Sequence, residues 1–161
     1  MDFRNKRWTR LTEILAALFV LLNIILVSVF FSKLPDLIPN HYNFQGLPTD
    51  LKAKKTIWLL PVFSCLLYLI LSGIAFFVKQ VTRPDELSVE VTRIVRRLLR
   101  QMKLILTMVM LYLASGTILL GLGKIDRLSV IFSPLQMILL ATVLIVNISM
   151  LVRRQFPRKS S

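Results

Sequence analysis

The sequence contains few of the residues from which enzyme and metal sites are built. Its 161 residues include one cysteine, one histidine and eight acidic residues. Cys65 has no partner for an intrachain disulfide or a zinc site, and His41 has only carboxylates nearby to join it as metal ligands. No glycine-rich phosphate loop and no nucleophile with a base and an orienting acid is recognisable. We therefore predict no enzymatic activity, no cofactor and no metal.

Charged residues are missing from four long stretches. Residues 14–32, 56–78, 104–123 and 128–152 contain no Asp, Glu, Lys, Arg or His and are 19 to 25 residues long. About 20 apolar residues cross the hydrocarbon core of a bilayer as a helix. The 55% hydrophobic content agrees with this reading. We predict a single all-α integral membrane domain over 1–161, with transmembrane helices at 11–32, 56–78, 104–123 and 128–152.

Acidic residues are scarce relative to basic ones, which gives a net charge of +13. Lys and Arg number 15 in the first, third and fifth segments outside the spans and 6 in the second and fourth. The positive-inside rule then predicts a multi-pass plasma-membrane protein with both termini in the cytoplasm. It also indicates anionic lipid headgroups, and not nucleic acid, as the partner of the basic residues.

The segment between the second and third spans has the pattern of a basic amphipathic helix, which we predict at 84–103. Its apolar positions are Leu87, Val91, Ile94, Val95, Leu98, Leu99 and Met102, and its basic positions are Arg93, Arg96, Arg97, Arg100 and Lys103. Such a helix is expected to lie on the inner membrane surface. The alternative is that it docks a cytoplasmic regulatory protein.

The external segment 33–55 carries the most specific pattern in the chain. Pro35, Pro39 and Pro48 exclude a long regular helix, and Gly46 permits a left-handed backbone angle. A loop of this length is more often functional than a simple connector. We therefore expect a long external loop whose frame consists of these four residues.

The same loop resembles a known family. It reads Leu-Pro-Asp-Leu-Ile-Pro-Asn-His-Tyr-Asn-Phe-Gln-Gly-Leu-Pro over 34–48. This is similar to the bacterial membrane family called domain of unknown function 1648, whose pattern is roughly LP-x-x-IP-x-H-x-N-x-x-G-x-P followed by a Lys and an apolar span with an early Pro. The resemblance covers about residues 14–62. It implies the N-terminal domain type of the immunity proteins for the sporulation-delaying peptide toxin, the SdpI type.

Three loop residues are candidates for ligand binding. His41 and Asn43 would point the same way in an extended chain, and together they offer donors and acceptors for a peptide or a pH-sensitive group. The resemblance adds Lys54, whose distance to Pro61 fits the family lysine, with Lys55 as the alternative. The structural alternative is that His41 and Asn43 only satisfy loop carbonyls and helix ends.

Four weakly polar residues fall at a similar depth in their spans. Asn23, Ser64, Ser115 and Gln136 each lie eight or nine residues from the external end. They are predicted to form one polar layer below the loop, with hydrogen bonds between helices.

These observations favour a bacterial membrane protein for sensing or immunity, in which the external loop meets a peptide or an envelope signal. A transporter or channel subunit is the first alternative, although no ionisable residue lies in the four charge-free stretches. A membrane-embedded enzyme that uses His41 with Asp36, Asp50 or Lys54 is the second.

Overall fold

The computed structural model describes residues 3–82, 86–129 and 132–155. Its elements in chain order are α1 (Phe3–Phe30), a 3₁₀ turn (Phe31–Lys33), β1 (Leu37–Tyr42), β2 (Pro48–Ala53), a second 3₁₀ turn (Lys54–Trp58), α2 (Leu59–Val81), α3 (Glu86–Gly121) and α4 (Phe132–Gln155). The predicted start of the amphipathic helix at residue 84 lies outside the described residues, as does the tail beyond residue 155.

Among the described residues, four helices are long and apolar enough to cross a membrane, in agreement with the predicted number of spans. The candidate spans, which include the adjoining 3₁₀ turns, are Arg7–Lys33, Lys54–Val81, Ser88–Gly121 and Pro134–Val152. Large apolar side chains cover their outer surfaces, such as Leu69 and Phe77 on α2, whose exposed fractions are 63% and 69%. A soluble protein would bury most of these side chains, whereas a lipid bilayer covers them.

The chain runs through α3 without a break, and this differs from the prediction. A separate amphipathic helix at 84–103 is not seen, because α3 is one helix of 36 residues from Glu86 to Gly121. No proline or glycine stands between Glu86 and Gly116 to interrupt its hydrogen bonding. A helix that continues directly into a span cannot lie flat on the membrane surface, so that part of the prediction is wrong.

The helices α1, α2 and α3 pack on one another, and α4 packs mainly on α3. A buried cluster closes one end of this bundle and joins it to the β1–β2 hairpin. Its members are Val27, Leu34, Ile38, Ile57, Ala114 and Ile118. We call this the hairpin end. The opposite end, where α1 and α3 begin, carries most of the arginines and is called the basic end.

The loop between α1 and α2 is an antiparallel hairpin. Leu37 pairs with Ala53 at its base, and Tyr42 pairs with Pro48 near its tip. The register is irregular on both sides of His41, which stands opposite Asp50. Such bulges turn side chains away from the regular alternation of a strand. The hairpin therefore presents the residues near His41 differently from an ideal strand.

Candidate functional site

Asn43 builds the tip of the hairpin. Its Oδ1 accepts hydrogen bonds from the backbone N–H of Gln45 at 3.0 Å and of Leu47 at 2.9 Å. Its backbone N–H donates to the carbonyl of Leu47 at 3.0 Å, and its own carbonyl accepts from Gly46 at 2.9 Å. Asn side chains commonly stabilise turns in this way. The structural role considered for Asn43 is therefore the one that the geometry favours.

Gly46 brings the hairpin into contact with the connection between α3 and α4. Its φ is +76°, and its carbonyl accepts a hydrogen bond from the backbone N–H of Leu128 at 2.9 Å. A Cβ at this position would lie 2.3 Å from the carbonyl oxygen of Leu128. Only glycine fits both the backbone angle and the close approach. The predicted frame residue thus joins two segments that are far apart in sequence.

Tyr42 attaches the hairpin to α3. Its hydroxyl shares a hydrogen bond of 2.7 Å with Oγ1 of Thr117. Burial raises the pKa of the Tyr42 hydroxyl, and the hydrogen bond to Thr117 opposes that rise. The group therefore stays neutral, and this contact couples the strand directly to a transmembrane helix.

A cavity of about 490 Å³ lies between the hairpin and the helices. The hairpin, α3, the α3–α4 connection and α4 all contribute to its lining, which comprises Asn40, His41, Tyr42, Asn43, Phe44, Gly46, Tyr112, Leu113, Leu128, Ser129 and Gln136. A second cavity of about 550 Å³ shares Tyr112, Leu128 and Ser129 with it and extends to Ser115 and Arg127. Both cavities are partly open to the surface of the protein.

The polar groups of the first cavity are suited to binding amides. The side-chain amide of Asn40 lies 3.3 Å from Nε2 of His41 and donates to it in the tautomer that leaves this nitrogen unprotonated. Gln136 adds a second amide from α4. Phe44, 99% exposed, stands at the rim. The cavity thus combines amide and imidazole groups with an exposed aromatic ring.

The structure separates the three predicted ligand residues. His41 and Asn43 line the same cavity, together with Tyr42 between them, although the strand is irregular at His41 and ends before Asn43. Lys54 lies at the base of the hairpin, where its ammonium pairs with Asp36 at 3.1 Å and donates to the carbonyl of Leu34 at 3.4 Å. Its backbone N–H also donates to the carbonyl of Asp36 at 2.8 Å. Lys54 therefore closes the hairpin base and does not reach the cavity.

The predicted polar layer divides into two parts. Asn23 and Ser64 are completely buried in α1 and α2, and within the described part of the chain their side chains have no hydrogen-bond partner. Ser115 donates to the carbonyl of Tyr112 in its own helix, and Gln136 lines the first cavity. The expected hydrogen bonds between helices are therefore not seen for Asn23, Ser64 or Ser115.

An ion pair near the basic end was missed by the sequence reasoning. The ammonium of Lys103, only 3% exposed, lies 2.5 Å from Oε2 of Glu13. It also donates to Oγ of Ser72 at 2.9 Å and lies 4.5 Å from the centre of the Tyr68 ring. Three helices thus surround one buried positive charge.

Glu13 and Lys103 lie just outside the charge-free stretches but inside the helices that span. Each lies about 26 to 27 Å from the hairpin end of its helix, close to the thickness of a hydrocarbon core of about 30 Å. The absence of ionisable residues from the charge-free stretches therefore does not extend to the helices that contain them. The sequence could have indicated this, because no proline or glycine near residues 13 and 103 ends the helix at the edge of the charge-free stretch.

A second polar contact joins α4 to α3. Nδ2 of Asn147, which is 1% exposed, donates to Oε1 of Gln101 at 2.9 Å. Both residues lie toward the basic end, and the sequence reasoning singled out neither. Because lipid gives no hydrophobic advantage to helix association, such a contact helps to hold a peripheral helix in place.

Across the described residues no group of three His, Cys, Asp or Glu side chains could hold a metal ion.

Comparison with known proteins supports the family resemblance. No curated protein and no solved structure gives a significant match. The model of one family, Domain of unknown function (DUF1648), matches residues 18–64. This match confirms the resemblance seen in the loop sequence. Residues 18–64, which comprise the hairpin-end part of α1, the hairpin and the first turns of α2, are therefore similar to the Domain of unknown function (DUF1648).

Proposed function

We propose that this protein is a sensor or immunity protein of the bacterial plasma membrane, which binds an extracellular peptide or envelope signal between its hairpin and α3. The observation that carries the proposal is the continuity of α3. One end of this helix lines the cavity through Tyr112 and Leu113, and the other end carries the arginines of the basic end. A ligand that shifts α3 would therefore change both ends together.

In the proposed orientation, the hairpin lies outside the cell and the basic end lies in the cytoplasm. The support is the distribution of Lys and Arg along the sequence, with 15 in the first, third and fifth segments outside the spans and 6 in the second and fourth. Single cysteines in 36–50 of a Cys65→Ala background should react with an impermeant thiol reagent on intact cells. Cysteines in 88–100 should react only after permeabilisation, and the reverse pattern would overturn the orientation.

An extended peptide is the class of ligand that best suits the cavity. Asn40, Gln136 and His41 can pair with backbone amides, and the exposed ring of Phe44 offers an apolar contact at the rim. Signalling would then reach a cytoplasmic regulatory protein at the arginine-rich part of α3. Immunity to the sporulation-delaying toxin, implied by the family resemblance, is the specific form of this function.

A survival assay tests this form directly. Sensitive cells that produce the protein should survive the sporulation-delaying peptide toxin, and the His41→Ala and Phe44→Ala variants should lose protection at equal membrane abundance. Leu51→Ala is the matched control, because Leu51 is exposed on β2 away from the cavity. Failure of the unaltered protein to protect would reject toxin immunity. Protection that survives both cavity substitutions would reject the cavity as the binding site.

A transporter is the second candidate, and one observation favours it. Glu13 and Lys103 form an ion pair at membrane depth, and ionisable groups in such positions often mark ion or proton pathways. Purified protein in vesicles should then move protons or cations, and Glu13→Gln should abolish the flux. Tight vesicles that show no flux with the unaltered protein would remove this candidate.

A further inference from the structure

The basic end holds arginines that are packed against the bundle and not simply exposed to solvent. Arg93 and Arg97 are exposed, whereas Arg96 and Arg100 are half-buried on the same helix. Within the described residues, Nε of Arg96 is buried and has no hydrogen-bond partner. A buried guanidinium N–H without an acceptor is costly, so this position is expected to be satisfied by a group from outside the chain.

An arginine of α1 lies at a similar height to the half-buried arginines of α3. The two helices run in parallel from the basic end, and the contact of Glu13 with Lys103 fixes their relative height. Arg10 lies three residues before Glu13, and Arg100 lies three residues before Lys103. Arg10 and Arg100 are therefore each about one turn further toward the basic end than the ion pair, at a similar height along the bundle.

The charge of this cluster is unbalanced. Arg100 interacts with Arg96 and Arg97, which repel it, and with Glu13, which attracts it. Glu13 is already paired with the ammonium of Lys103 at 2.5 Å. The Glu13 carboxylate thus interacts with both Lys103 and Arg100, and the positive charge that it does not neutralise favours binding of an anion.

The position along the membrane normal indicates the kind of anion. Trp8 is 64% exposed and lies within one turn of Arg10. An exposed indole at the end of a transmembrane helix is typical of the headgroup region. The arginine cluster therefore lies at the level where phospholipid phosphates lie.

We propose that Arg96 and Arg100 of α3, with Arg10 of α1, form a phosphate-binding site that takes the headgroup of an anionic phospholipid. The planar guanidinium fork matches the oxygens of a phosphate, and the bound phosphate would give Nε of Arg96 its acceptor. A bound lipid would fix α1 against α3 at the basic end. The site does not rest on the peptide-binding proposal, because it involves no residue of the hairpin.

The test measures retained lipid on the full-length protein. The protein is reconstituted in nanodiscs of phosphatidylcholine with a minority of phosphatidylglycerol, released gently, and analysed by native mass spectrometry. We expect retained phosphatidylglycerol, enriched over phosphatidylcholine. Arg96→Gln and Arg100→Gln should each lower that enrichment about fivefold, since one arginine near the surface contributes about 1 kcal/mol.

Arg93→Gln is the matched control, because it removes the same charge from an exposed position of the same helix. Unchanged enrichment in this variant supports a defined site, whereas an equal loss would show diffuse attraction and overturn the proposal. Equal retention of both lipids by the unaltered protein would also overturn it. If a glutamine variant does not fold, Arg100→Lys keeps the charge without the fork and should still lower enrichment.

A second arm distinguishes a lipid from a soluble phosphate. Inorganic phosphate is added to the protein in pure phosphatidylcholine nanodiscs, and the midpoint of thermal unfolding is followed. No shift with phosphate, together with a rise when phosphatidylglycerol is included, supports the lipid headgroup. An equal rise with phosphate alone, lost in Arg96→Gln, would keep the phosphate site and overturn its assignment to a lipid.

Discussion

Replacing Glu13 with glutamine should destabilise the protein more than replacing Lys103 with methionine, although both changes break the same ion pair. The reason is the difference in burial, because Lys103 is 3% exposed and Glu13 is 35% exposed. Glu13→Gln leaves a buried ammonium with only the Ser72 hydroxyl and the face of the Tyr68 ring. Lys103→Met leaves a partly exposed carboxylate that Arg100 still attracts, and the methionine fills the space of the lysine stem.

The magnitude follows from these contacts. Removing one partner of a fully buried pair costs about 3 to 5 kcal/mol. Ser72 and the Tyr68 ring offset part of this, so we expect about 3 kcal/mol for Glu13→Gln. The carboxylate left by Lys103→Met keeps the attraction of Arg100, and about 1 to 2 kcal/mol is expected there. In the double variant no charge is left alone, and its cost should be close to that of Lys103→Met.

Equilibrium unfolding in mixed micelles with increasing dodecyl sulfate measures these differences, with the fluorescence of Trp8 and Trp58 as the signal. Lys79→Gln is the control for loss of an exposed charge and should change stability by less than about 0.5 kcal/mol. A cost for Lys103→Met equal to or above that for Glu13→Gln would refute the reasoning. So would a double variant less stable than Glu13→Gln alone.

Three further changes can be followed in the same assay. Gly46→Ala should lower the free energy of unfolding by about 2 kcal/mol or more, because the new Cβ would clash with the carbonyl of Leu128 at a positive φ. Gly73→Ala is the control and should be neutral or stabilising, because nothing lies within 4 Å of its Cβ. Equal losses in the two variants would contradict the argument. Tyr42→Phe should lose about 1 kcal/mol with its hydrogen bond to α3, and no loss would mean that the bond is not formed. Ser64→Ala should stabilise by up to about 1 kcal/mol, because it removes a buried hydroxyl that has no partner among the described residues; a clear loss would show a partner such as bound water.

Part of the candidate site could be read from the sequence. The prolines and glycine of the loop predicted a fixed, non-helical frame, and His41 and Asn43 line one cavity of that frame. Their roles could not be read from the sequence. Asn43, for example, accepts hydrogen bonds from two N–H groups of the turn, and these contacts form only when the turn is folded. Lys54 was assigned to the ligand through the family resemblance, and the fold places it at the base of the hairpin, beside Asp36.

The four apolar helices and the segment that resembles a known family could be predicted from the sequence, because missing charges and the positions of prolines are properties of neighbouring residues. Which polar groups meet depends on how the helices pack. Glu13 and Lys103 are 90 residues apart and pair only because α1 and α3 lie in parallel at the same height. Burial and charge pairing arise from contacts between distant segments, and no local pattern contains them.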